Sequence, residues 1–304
     1  MSIESSIDTD YTRAVDGRLA SYDAYIEYQM QEARRAIPFL SRFFDIQGAR
    51  VLEVGTGRGG KGIAYACNGM KVTAVDVDIP SLELGAQSAR LHHAAMHFLV
   101  ADGTRLPFPT GYFDAILLDS VIEHVRDPQM LLLECQRTLK RGGIVFVVFP
   151  PFYGPLSGHI DDYVLFPWFH LLPRKIVEKT LLSMSQRKGI LTPHGAFEVY
   201  GTLNHLTVFQ FKQMARRAGF AFDYLRIRPF LTHPGMRLVV GLVAALKQPG
   251  RWHNVRTVLG RARREFDLGT FALFVLLVAI TPLVFVPILQ EVAAGGCKGI
   301  LKKI

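Results

Sequence analysis

Between Val51 and Gly62 the chain reads Val-Leu-Glu-Val-Gly-Thr-Gly-Arg-Gly-Gly-Lys-Gly. An apolar run short enough for a buried strand stops dead at Gly55, and glycines then dominate the approach to a helix. Glycine lets the backbone turn sharply and lets a ligand lie against bare main chain. A strand, a bare loop and a helix in that order belong to an α/β sheet with a ligand at the strand end.

The neighbouring sequence continues the pattern. Arg50–Val54 reads as a strand, Lys61–Asn68 as a helix, and Lys71–Val75 as a strand ending at Asp76. Ser81–His93 is helical, His97–Val100 a strand ending at Asp102, and Phe113–Leu118 a fourth strand. Asp127–Leu139 reads as a helix closed by Arg141-Gly142-Gly143, and Ile144–Phe149 as a fifth strand. Strands alternating with helices imply a mostly parallel sheet with right-handed crossovers. Before it, Tyr22–Phe44 carries apolar residues at helical spacing. After it, Thr207–Ala218 reads as a helix and Ala221–Ile227 as a strand.

Three kinds of ligand use such a glycine loop. A phosphate loop would need a hydroxyl after Lys61, where Gly62 stands, so nucleotide hydrolysis is disfavoured. A dinucleotide fingerprint is met by Gly55, Gly57 and Gly60. The third pattern is an acid followed by GxGxG: Glu53, Gly55, Gly57 and Gly59. A carboxylate inside a strand end is costly to bury without a partner. A pyrophosphate gains nothing from it, whereas the ammonium of a methionine moiety does. Asp76 at the second strand end can accept both ribose hydroxyls, and Asp102 at the third can accept an adenine amino group. Asp78 replaces Asp76 if the second strand runs longer.

With Leu106-Pro107-Phe108-Pro109, Phe113-Asp114-Ala115-Ile116, Ile122-Glu123-His124-Val125-Arg126-Asp127-Pro128 and Leu139-Lys140-Arg141-Gly142-Gly143 in order, the chain resembles the class I S-adenosylmethionine-dependent methyltransferase family, in its small-molecule and quinone-type branch. Leu203-Asn204-His205-Leu206-Thr207 and Ala218-Gly219-Phe220 extend the likeness. The resemblance implies a Rossmann-like α/β fold: a seven-stranded, mostly parallel sheet with an antiparallel last strand and helices on both faces. It implies S-adenosyl-L-methionine as cofactor, with Glu53, Gly55, Thr56, Gly57 and Gly59 at the methionine end and Asp76 and Val77 at the ribose. Asp102 and Gly103 would take the adenine, and Asp119 and Ser120 would flank the sulfonium. Methyl transfer is then an in-line displacement in which the protein aligns the acceptor and removes a proton where one must go.

His159 and His124 are the candidate bases, since both follow strand ends over the pocket; His194 and His205 trail them. Glu123 is read as a cap or a partner of Arg126, and Asp114 as a strand-start residue. No metal is expected, because His93 and His97 lack the acid of an HExxH motif. Phe149-Pro150-Pro151-Phe152 differs from the amine-methylating loop by its position and its leading Phe, which disfavours transfer to exocyclic amines.

The division expected is a helical lead-in over 1–48, a cofactor-binding core over 49–150 and a lid or substrate insertion over 151–203. The chain then returns to the sheet over 204–230, carries an apolar, membrane-associated segment over 231–295 and ends in the last strand over 296–304. Leu268 to Gln290 carries no charge, but Pro282 and Pro287 interrupt it. Leu268–Thr281 as a helix would be about 21 Å long, short of the roughly 30 Å of a bilayer core. Basic residues flank the run: Arg251, Arg256, Arg261, Arg263 and Arg264 before it, Lys298, Lys302 and Lys303 after it. A net charge of +9 and a mean hydropathy of +0.20 fit the same reading. The segment is read as dipping into a leaflet from the cytosolic face, with a true span and a soluble cap as alternatives.

An aromatic lid beside that segment points to a lipophilic small-molecule acceptor, methylated on oxygen or carbon. A nucleic-acid partner is not expected. The alternatives are an RNA methyltransferase using the basic 251–264 segment and a non-catalytic, cofactor-binding membrane scaffold. Three scattered cysteines (Cys67, Cys135, Cys297) and a polar, acidic start from Met1 to Asp10 fit a cytoplasmic location.

Overall fold

The computed structural model describes residues 21–155, 157–160, 163–164, 168–183, 193–229 and 290–304. The polar start, the Arg251–Arg264 segment and nearly all of the apolar run lie outside the described residues. Among the described residues, no helix is long and apolar enough to cross a membrane.

The first helix, α1 (Tyr22–Leu40), starts at Ser21, whose side chain accepts from the Ala24 amide. The core then alternates: β1 (Arg50–Val54), α2 (Gly60–Cys67), β2 (Lys71–Asp76), α3 (Ile79–Leu91), β3 (Met96–Val100), β4 (Phe113–Asp119), α4 (Pro128–Thr138) and β5 (Leu139–Phe149). The segment after β5 contributes a 3₁₀ turn at Phe169–Leu171, α5 (Arg174–Ser183) and α6 (Pro193–Gly201). The chain returns through α7 (Val208–Arg217) and β6 (Phe220–Pro229), and ends with the short α8 (Gln290–Ala293) and β7 (Ala294–Lys303).

The seven strands lie in the order β3-β2-β1-β4-β5-β7-β6. The pairs among the first five are parallel, and β7 runs antiparallel to both β5 and β6. This is the sheet the resemblance implied, with the last strand as the reversed one. Its order reverses between β1 and β4, and such a switch point opens a crevice outside the strand ends.

Strand periodicity divides the interior between two faces. Leu52, Val54, Ile116, Leu118, Val145 and Val147 face α4 and α7, where Leu131, Leu132, Cys135, Phe211 and Ala215 are buried. Val51, Val72, Ala115, Leu117, Ile144 and Phe146 face α1 and α2, packing on Ile26, Met30, Ala33, Ile63 and Ala64. Both faces are covered, so the central strands read as continuous apolar runs rather than alternating ones.

Two details depart from the sequence reading. The stretch Arg141–Gly143, expected to close a helix, belongs to β5. Phe113 pairs with Leu139 and Ala115 with Ile144, so the extra residues bulge out, with Gly142 at φ +77°. A bulge of this kind needs a residue tolerant of the left-handed region. Second, α3 starts earlier than expected, because Asp78 caps it by accepting from the Ser81 amide. That fixes Asp78 as a cap and leaves Asp76 at the strand end.

Candidate functional site

At the switch point lies a cleft of about 660 Å³ lined by the ends of β1 and β2 and the loops after β1, β2, β3 and β4. Of the residues expected to hold a cofactor, Gly55, Asp76, Val77, Asp102, Gly103 and Ser120 line it, joined by Thr104, Val121, Arg126 and Asp127. Glu53, Thr56, Gly57, Gly59 and Asp119 are not on its wall; they build the loop and floor behind it.

The floor is a buried polar cluster. Glu53 is 6% exposed and accepts a hydrogen bond from Thr56 Oγ1 at 2.6 Å. Burial pushes its carboxyl up to about 7, against the smaller opposing effects of Thr56 and Lys61. Lys61 instead pairs with Asp119, Nζ to Oδ1 at 2.8 Å. Burial alone would lower the Lys61 ammonium, but the charge and hydrogen bond of Asp119 outweigh it and raise it.

Over this floor the glycine loop is bound to the next strand end. Gly57 N donates to Asp76 Oδ2 at 2.7 Å and Asp78 N to Asp76 Oδ1 at 3.0 Å. Gly55 adopts φ +64°, and a Cβ there would stand 2.6 Å from Val121 Cγ2. Gly103 is confined likewise, between Leu131 and Val54 at 2.9 Å. Asp102 Oδ1 accepts from the Thr104 amide and hydroxyl, both at 2.8 Å.

The wall after β4 begins at Ser120, with φ +60° and its amide held by Val148 O at 2.8 Å. Next come Glu123 and His124. Glu123 is 2% exposed and does not meet Arg126; its Oε1 lies 3.3 Å from His159 Nε2. Burial raises its carboxyl, and His159 opposes that rise. His124 lines the cleft, and its ring centroid is 4.9 Å from that of His159. The fold therefore brings both candidate bases together.

Thr202 settles the tautomer of His124. Its hydroxyl donates to Val199 O at 2.7 Å, so it must accept from His124 Nδ1, also at 2.7 Å. The Nε2 lone pair of His124 is left unprotonated. Burial first, then the nearby His159, pushes this imidazole down to about 4, so it is neutral near pH 7.

Asn204 locks the same loop from outside. Its Nδ2 donates to Ile122 O at 2.7 Å and Val125 O at 2.8 Å, and its amide donates to Glu123 O. His205, with φ +60°, stacks on Phe152 at 3.9 Å and is not on the wall of this cleft. Of the non-glycine residues with positive φ, Ser120 is on the cleft wall, where strained backbone is common at functional sites. Thr202 escaped the sequence reading, which quoted Asn204 within its motif but not its hold on Ile122 and Val125, since nothing local marks a residue that binds a loop so distant in the chain.

Comparison with known proteins places this site in context. Residues 52–147 match the family described as methyltransferase domain. A demethylmenaquinone methyltransferase of Renibacterium salmoninarum is 30% identical over 40% of this chain and 50% of its own. A ubiquinone biosynthesis O-methyltransferase of Xanthomonas oryzae pv. oryzae is 36% identical over 36% of this chain and 47% of its own. The chain thus spans half or less of the length of these curated relatives. Among solved structures, a candidate sarcosine dimethylglycine methyltransferase from Galdieria sulphuraria superposes with a TM-score of 0.50. It is 11% identical, over 90% of this chain and 85% of that one, a likeness of fold alone.

Proposed function

We propose that this chain, whose residues 52–147 form a class I S-adenosylmethionine-dependent methyltransferase domain, transfers a methyl group to oxygen or carbon of a lipophilic small molecule. The observation that carries this reading is the cleft itself, which has acids at or just after two strand ends, the glycine loop after a third and His124 on its wall with His159 beside it.

The residues fit the cofactor. Gly55 leaves room that a Cβ would deny, and Asp76 and Asp102 stand where hydroxyl and amino donors can be accepted. Glu53 and Thr56 lie under the loop for the ammonium end, while Ser120 borders the reacting end. When bound, the cofactor supplies a methyl group already activated as a sulfonium. The chain supplies alignment, exclusion of water and help with the acceptor's proton. In this reading His124, on the cleft wall, and His159, against Glu123, are the groups that activate the acceptor.

A lipophilic acceptor is supported by the lid. Tyr153, Leu171, Leu172, Ile176 and Leu182 are exposed there, alternating with the basic residues Arg174, Lys175 and Lys179. Exposed apolar side chains rimmed by cations suit the cytosolic face of a membrane. Two relatives are named as quinone-pathway methyltransferases, which points the same way.

The test is incubation of the protein and a membrane lipid extract with methyl-labelled cofactor. Label in the lipid-extractable fraction, lost with Asp76→Ala, is expected. If label stays out of that fraction, the acceptor is not lipophilic.

A further inference from the structure

We propose that Glu123, His124 and His159 form a binding site for a divalent transition-metal cation at the wall of the cleft. Each offers one ligand atom, and the three atoms lie within 4.8 Å of one another. The inference rests on the methyltransferase reading for its purpose but not for its geometry.

The donor set has the right chemistry. Two imidazoles and one carboxylate suit zinc, iron, manganese or nickel rather than calcium. Bonds of about 2.1 Å to such a cation place neighbouring donor atoms roughly 3.0–3.4 Å apart. His159 Nε2 and Glu123 Oε1 already stand at 3.3 Å. His124 offers the third ligand atom, within 4.8 Å of the other two.

The surroundings answer two further requirements. A metal-bound imidazole donates its other ring N–H to a neighbouring acceptor, which fixes the ring and its tautomer. His124 does this through Nδ1 and Thr202, leaving Nε2 as the ligand atom. A buried carboxylate needs compensation. Neither Glu123 oxygen accepts a well-formed hydrogen bond among the described residues, and both are cut off from solvent. A cation supplies what His159 at 3.3 Å only partly supplies.

The function follows from the place. His124 borders the cleft beside Ser120, so a cation held there has open positions toward the acceptor. Three protein ligands with open positions are the arrangement of a Lewis-acid site rather than a structural one. The cation would bind an acceptor hydroxyl, and the proton of that hydroxyl would pass to water.

The experiment is calorimetric titration of the full chain, stripped with a chelator, with zinc chloride and separately with manganese chloride. Glu123→Gln and His159→Ala serve as comparisons. We expect one equivalent of cation bound by the unaltered protein and at least tenfold weaker binding by each variant. Adenosylhomocysteine binding, measured on the same samples, reports whether the fold and cofactor cleft survive. Absent saturable binding, or equal binding by both folded variants, overturns the site. Cation binding that persists where adenosylhomocysteine never binds would instead remove the methyltransferase reading and leave the metal site standing.

Discussion

Lys61 and Asp119 meet at 2.8 Å beneath the glycine loop, joining the first turn of α2 to the end of β4. Burial decides the state of Glu53 beside that pair, with Lys61 opposing the rise and Asp119 adding to it. With the lysine committed to Asp119, Glu53 keeps the Thr56 hydroxyl as its hydrogen-bond donor, and burial prevails. The acid expected to grip an ammonium is therefore half-protonated near pH 7 before any ligand arrives.

This predicts a pH-dependent affinity. A ligand carrying an ammonium binds best when Glu53 is ionised, so binding strengthens as pH rises through about 7. Adenosylhomocysteine should bind about tenfold more tightly at pH 8 than at pH 6, and Glu53→Gln should abolish that slope. Lys61, Asp119 and Thr56 face the carboxyl and are left unchanged. Calorimetry across that range decides; a slope that survives in the variant refutes the assignment.

The same shift has a consequence for stability. The Glu53 value in the folded chain is raised above the usual 4.5, so the protonated form stabilises the fold. Its contribution is complete below pH 4.5 and is lost as pH climbs through 7. At pH 8, Glu53→Gln should stabilise the ligand-free protein by up to about 3 kcal/mol. Urea denaturation at pH 5 and pH 8 measures it, and a loss of stability at pH 8 would contradict it.

Gly55→Ala should weaken adenosylhomocysteine binding at least tenfold and destabilise the fold by about 1–2 kcal/mol. The new methyl would meet Val121 Cγ2 at 2.6 Å, on a backbone at φ +64°. Adding Val121→Ala removes the collision but not the backbone strain, so partial recovery is expected. No recovery at all would mean that the Val121 contact is not what confines the loop.

Asn204→Ala removes the donor shared by Ile122 O and Val125 O. A loss of about 1–3 kcal/mol is expected, together with reduced turnover, because the loop that carries Glu123 and His124 is released. Thermal unfolding and kcat give the two readings. Unchanged kcat in a folded variant would show that the clamp is not needed for the site.

The first five strands, the glycine loop and the acids at the strand ends were legible in the sequence. Each is a local matter: a short apolar run, a turn that only glycine takes easily, and a carboxylate where the strand stops. Asp76 and Asp102 were legible because each is an acid at or just after a strand end on the carboxyl edge of the parallel sheet, a local feature of the sequence. The beginning of β5 was not legible, since a bulge through Gly142 and a helix end use the same residue types.

What the tertiary structure decided is which side chains meet. Sheet order sets β1 beside β4, and so Lys61 reaches Asp119 and leaves Glu53 to its burial. Glu123 was read as a cap or a partner of its chain neighbour Arg126, yet it meets His159 from the segment after β5. His124 takes its tautomer from Thr202, and its loop is fixed by Asn204. Residue type and spacing carry local conformation, whereas hydrogen bonds and charge pairs act over a few ångströms in space, and only the closed fold sets those distances.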